Sequence, residues 1–123
     1  MKREIKFRAW DYLHNKMYPV SDIEWDADGR MWVTADDGKN GIELIDDEAH
    51  LMQYTGLHDK NGREIYEGDI VKNEYGKAMD IQYDPRSAAF GVGDYYFGTI
   101  GSGKTLEVIG NIFEDKQLLE EKQ

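Results

Sequence analysis

The sequence predicts a mainly β protein: a small barrel or a strongly bent antiparallel sheet, with an SH3-like second half as one form of it, and a short C-terminal helix. Apolar and polar residues alternate in short runs, beginning with Ile5, Phe7 and Ala9 against Lys6, Arg8 and Trp10. Turn pairs separate those runs, above all Asp28-Gly29 and Asn61-Gly62. The composition agrees: thirteen Gly, eight Tyr, four Phe and three Trp, with only two Pro, suit short strands joined by glycine turns.

The N-terminal alternation is a strand with one apolar and one amphipathic face, and Asp11 to Lys16 is a polar turn. Met17 to Val20 resumes extended structure. Pro19 has no N–H for a ladder, which places it at an edge or a bulge. In Asp22-Ile23-Glu24-Trp25-Asp26-Ala27-Asp28 the strand period puts the four acids on one face and Ile23, Trp25 and Ala27 on the other. Asp28-Gly29 then turns the chain into Met31 to Thr34. Ile42 to Ile45 is a short strand, and Asp46 to Glu48 a solvated corner.

The most informative stretch is Leu51 to Val71, LMQYTGLHDKNGREIYEGDIV. It reads as strand, turn and strand start, with a type I′ turn at Asn61-Gly62 and Asp59 bonding back to the local backbone. Glu67-Gly68-Asp69 turns the chain into Ile70 and Val71. Beyond it, Asn73 to Lys77 is a turn, Ala78 to Tyr83 is extended, and Asp84 to Ser87 is a turn. Phe90 to Val92 and Tyr95 to Phe97 are strands, and Gly98 to Lys104 is a glycine-rich loop. Leu106, Val108 and Ile112 open a last apolar strand region. Asp115 is placed to N-cap a helix over Lys116 to Glu121.

The Leu51–Val71 run resembles the YopX family, small proteins encoded by phages and prophages of mainly Gram-positive bacteria. The N-terminal REIKFRAWD (Arg3 to Asp11) and the C-terminal VIGNIFED (Val108 to Asp115) carry the same resemblance, while residues 22–50 and 73–105 match only loosely. The resemblance implies a β-rich fold and a phage origin. It brings no settled activity and no catalytic motif.

At 123 residues the chain is expected to be one domain, residues 1–123, large enough for its own core. Cysteine is absent, which removes disulfides and thiolate metal sites. No apolar run approaches a membrane span and the start lacks a signal peptide's apolar centre, so a cytoplasmic protein of the bacterial host is expected. The net charge of −10 is uneven: residues 1–21 carry net +3 and residues 22–48 net −8. This balance argues against direct duplex binding, which needs clustered Lys and Arg, and suits solubility or a basic protein partner. Separately, homo-oligomerisation would be one way to close edge strands.

Gly98 to Thr105, GTIGSGKT, matches the phosphate-binding pattern G-x-x-x-x-G-K-[ST]. That chemistry needs a helix after the loop, with Lys104 reaching the β/γ phosphates. The LEVIGNIF run after it is strand-like, so a flexible hairpin loop is the expected reading. Glu24, Asp26, Asp28 and Gly29 match part of a calcium loop, but its position twelve falls on Ala35, where a bidentate Glu is required. His14, His50 and His58 lack metal-pair spacing, and a hydrogen-bonded structural role is expected of His50. The aromatics Trp10, Trp25, Trp32, Tyr54, Tyr66, Tyr83, Tyr95 and Tyr96 have mainly acidic neighbours, which favours packing over a base-stacking platform.

No catalytic, cofactor-binding or metal-ligating residue is therefore named, and no enzyme is expected. The candidate binding residues are Asp22, Glu24, Asp26 and Asp28, an acidic surface for a protein partner. Two other readings are a nucleic-acid binder using Lys2, Arg3, Lys6 and Arg8, and a nucleotide-binding enzyme using Lys104 and its loop.

Overall fold

The computed structural model describes residues 4–36, 41–93, 95–97 and 102–120. Its backbone divides into two compact units, Ile5–Gln53 and one built on Tyr54–Gln123. Both are antiparallel β-structure, and the described sheets are bent and open rather than closed into a barrel.

The first unit orders its strands β4-β3-β2-β1-β5: β1 (Phe7–Asp11), β2 (Lys16–Trp25), β3 (Met31–Asp36), β4 (Gly41–Ile45) and the first half of β5 (Ala49–His58). The N-terminal alternation forms β1, and Ala9 is fully buried with Val33, Leu44 and Ala49. Trp10, expected on the amphipathic face, is buried as well. β2 pairs with β1 through Lys16–Pro19 and with β3 from Val20 to Trp25, with a register shift between Val20 and Asp22. Pro19 thus sits where the strand changes partner, a position that asks nothing of its missing N–H. A 3-10 turn, Asp46–Glu48, joins β4 to β5. The solvated corner expected there is tied down, because Asp46 Oδ1 accepts the Met31 N–H at 2.6 Å.

In the second unit the end of β5 pairs with β6 (Glu64–Tyr66), Tyr54 opposite Tyr66 with ring centroids 5.4 Å apart. A second sheet runs β10-β9-β8-β7-β11, from β7 (Asp69–Lys72), β8 (Ala78–Asp84), β9 (Ala89–Val92), β10 (Tyr95–Tyr96) and β11 (Glu107–Asn111). Its core gathers Ile65, Val71, Met79, Ile81, Val92, Phe97, Leu106 and Val108. The helix α1 spans Gln117–Glu120, beginning one residue later than the sequence reading, whose end at Glu121 lies outside the described residues. Asp115 does not cap it through its side chain: Asp115 Oδ2 accepts the Asn111 N–H at 3.1 Å, and only its backbone carbonyl receives Leu118 N–H.

One turn design recurs. At Asp26, Asp59 and Asn73 the residue three further on, Gly29, Gly62 or Gly76, donates N–H to its carbonyl at 3.0 Å. The side-chain Oδ1 accepts two more N–H groups: Asp28 and Arg30 at the first, Asn61 and Arg63 at the second, Tyr75 and Lys77 at the third. The glycines carry φ of 83°, 82° and 84°. Asn61 is not among the residues of positive φ, so the expected type I′ turn at Asn61-Gly62 is instead a turn followed by a left-handed glycine. The side chain two residues earlier selects it by satisfying two backbone donors.

Candidate functional site

β2, β3 and β4 bring Asp22, Thr34 and Glu43 into one cross-strand row, with Glu24 opposite Trp32 beside it. These side chains, with Trp25 and Asp26, line a recess of about 280 Å³ in the first unit. The floor is oriented: Trp32 Nε1–H donates to Asp26 Oδ2 at 2.9 Å. Asp26 opens the first repeated turn, so one carboxylate both shapes the hairpin and holds the indole.

The carboxylates differ in state. Asp26 is lowered to about 2, first by the Trp32 hydrogen bond, then by N–H donors of Arg30 and Asp28 and by the Arg30 charge, with burial opposing. Arg30 Nε lies 3.1 Å from Asp26 Oδ2 and Arg30 Nη2 3.4 Å from Asp28 Oδ2. Glu24 moves the other way, raised by its hydrogen bond and repulsion with Asp22 and also by Glu43. Among the described residues no cation pairs with Asp22, Glu24 or Glu43, and the three carboxylates crowd one end of the recess.

Of the acids read from the sequence, Asp22 and Glu24 share the strand face as expected and Asp26 joins them from the turn. Asp28 does not line the recess; it is exposed on the turn and faces Arg30. The expected four-acid face fails because β2 ends at Trp25 and the alternation ends with it. For the same reason Ala27 is exposed, and Trp25, the last residue of β2, is 66% exposed and borders the recess. Glu43 and Trp32 escape a reading of the sequence as binding residues, since their approach to Asp22 is fixed by strand register.

The other candidates resolve one by one. In the glycine-rich loop, 98–101 lie outside the described residues. Gly103 is buried, with room for no Cβ: one built there lies 2.6 Å from the His58 carbonyl oxygen. The chain leaves this loop in strand β11 rather than in the helix a phosphate loop requires. Lys2 and Arg3 lie outside the described residues, and Lys6 and Arg8 are half-buried rather than displayed. Among the described residues no group of three or more His, Asp or Glu is placed to hold a metal ion. No described helix is long and apolar enough to cross a membrane.

His50 Nδ1 lies 3.4 Å from the Tyr12 hydroxyl, the hydrogen-bonded role expected of it. A pairing that the sequence reading misses is that of His14 Nδ1 with Asp11 Oδ2 at 2.7 Å. Fully buried Asp11 also accepts the Leu13 and His14 N–H groups, so the pair closes the β1–β2 turn. The aromatics divide: Trp10 and Tyr54 are buried, while Trp25, Tyr83 and Tyr95 are exposed.

Comparison with known proteins adds family and fold. The family model described as YopX protein matches residues 6–120. The crystal structure of protein EF1440 from Enterococcus faecalis is similar at 27% identity and a TM-score of 0.64, covering 96% of this chain and 99% of that one. The crystal structure of protein yopX from Bacillus subtilis, at 20% identity and a TM-score of 0.64, covers 93% of this chain and 97% of its own, and shows the shared fold. A comparison with curated proteins gives no match.

Proposed function

Since this chain belongs to the YopX family, we propose that it is a non-enzymatic accessory protein of a phage or prophage. It acts inside the bacterial host by binding a basic protein through its acidic recess. The observation that carries this reading is the set Asp22, Glu24 and Glu43, gathered around Trp25 and Trp32 with no described cation among them. Like charges held together favour any group that neutralises them, and an indole face adds attraction for Lys or Arg. Electrostatic complementarity of this kind sets partner choice and association rate.

The test is capture of proteins from phage-carrying host cells by the tagged chain, at low and high salt. The expected result is a basic protein released by salt and lost in the Asp22→Asn/Glu24→Gln/Glu43→Gln variant. Capture that ignores both salt and the substitutions sinks the reading. Asp26 is left intact in that variant because it shapes the turn.

A further inference from the structure

The recess borders β4, the last strand of its sheet among the described residues. Among the described residues β4 forms one ladder, with β3, and lies at the end of the strand order. Ile45 donates its N–H to Glu48 Oε1 at 2.9 Å, not to Trp32 opposite it. Hydrogen-bonded and non-hydrogen-bonded pairs alternate along an antiparallel ladder. Glu43 and Gly41, two and four residues back from Ile45, therefore also direct N–H and C=O away from β3. Glu48 occupies the Ile45 donor; those of Glu43 and Gly41 face the open edge.

Exposed edges are usually blunted by Lys, Pro or a bulge. β4, Gly-Ile-Glu-Leu-Ile, has no Lys or Pro, and its register runs unbroken from Asp36↔Gly41 to Trp32↔Ile45. Charge selects what can pair there. Twofold antiparallel pairing over the whole of β4 with a second copy would be centred on Glu43, the middle residue of the strand, and would set it opposite its own copy, next to Asp22 and Glu24. Like charges directly opposite are destabilising, and an opposite charge at that position is favoured.

We infer that β4 accepts an extended basic segment of the partner as an added strand, with a Lys or Arg opposite Glu43. The inference rests on the acidic-recess reading above and specifies how the partner is held: main-chain bonds supply attachment and the carboxylate row supplies selectivity.

The test uses a fluorescent seven-residue peptide, Thr-Lys-Val-Lys-Val-Lys-Thr, and two twins N-methylated at alternate amides, one on each edge. Anisotropy is expected to show binding of the parent, a loss of about tenfold or more for one twin only, and slowed hydrogen exchange at the Glu43 amide. Equal binding of parent and both twins, lost in Asp22→Asn/Glu24→Gln, overturns strand addition and leaves the recess reading standing. No binding of any peptide, while a basic protein is still captured from cells, does the same. A wild-type dimer that protects the Glu43 amide places a second copy on the edge and also overturns it. Failure of cell capture, by contrast, removes the recess reading itself.

Discussion

Val108 donates its backbone N–H to Asp59 Oδ2 at 2.9 Å, across 49 positions of the chain. The other oxygen of the same carboxylate receives the Asn61 and Arg63 N–H groups. One side chain thus closes the β5–β6 turn and fastens β11 to it, supported by the bond from Lys60 N–H to the Leu106 carbonyl.

Asp59→Asn, with its Oδ1 kept on the turn donors as in Asn73, replaces the other acceptor oxygen by a donor facing the Val108 N–H, and is expected to cost about 2 kcal/mol in urea denaturation at pH 7. Burial pushes the Asp59 carboxyl up, but the Val108, Arg63 and Asn61 donors and the Arg63 charge outweigh it, leaving the group lowered. Its contribution is complete above the ordinary carboxylate range and is lost as pH falls through the lowered value. The gap between wild type and Asp59→Asn should therefore close in acid.

Glu24 carries the opposite sign. Because its folded value is raised above the ordinary 4.5, the folded state binds its proton more tightly. Its destabilising charge is present at neutral pH and is relieved as pH falls through the raised value. Glu24→Gln should raise the Tm at pH 7 and lose that advantage in acid, below the ordinary carboxylate range. A lower Tm at pH 7 contradicts the crowding of Asp22 and Glu43 around it.

The turn glycines separate conformational from steric cost. Gly29 and Gly62 have open space at the Cβ position, so Ala at either should cost about 1 kcal/mol from positive φ alone. Ala88 already carries φ 52°, and Ala88→Gly should stabilise by about 0.5 kcal/mol, strain relief less the added chain entropy. Thermal melts of the single variants check all three.

Gly103→Ala should cost more, about 2 kcal/mol or above. Its Cβ meets the His58 carbonyl oxygen and Ile65 Cδ1, both at 2.6 Å, and the former is backbone that cannot step aside. A melt indistinguishable from that of Gly62→Ala would refute the close packing of this loop on the hairpin turn.

Much of the fold is legible in the sequence because it is local. Period-two alternation marks the strands around Phe7–Asp11 and Met31–Asp36, and the Asp-Gly and Asn-Gly pairs mark two of the three repeated turns. Pro19 signals an edge or a bulge from its missing N–H alone, and the register shift in β2 follows directly after it. The backbone of Asn61 departs from its expected form because Asp59, two residues earlier, supplies the acceptor that sets the turn.

The recess is only half legible. Asp22 and Glu24 follow from spacing within one strand, but Glu43 and Trp32 depend on which strands pair and in what register, which spacing along the chain does not encode. Trp25 stays in register with Ile23, opposite Met31, and its exposure reflects where β2 stops. The Asp59–Val108 bond is equally nonlocal.

The repeated turn has a consequence for the order of folding. Each copy at Asp26, Asp59 and Asn73 closes within five residues and satisfies its own donors, so the hairpins it seeds form on the microsecond scale. Docking β11 onto Asp59 instead closes a loop of 49 positions and bears the entropy of doing so. The slow step in assembling the second unit is therefore recruitment of its C-terminal strand. In a chevron plot Gly62→Ala should act mainly on the refolding arm, and Asp59→Asn mainly on the unfolding arm.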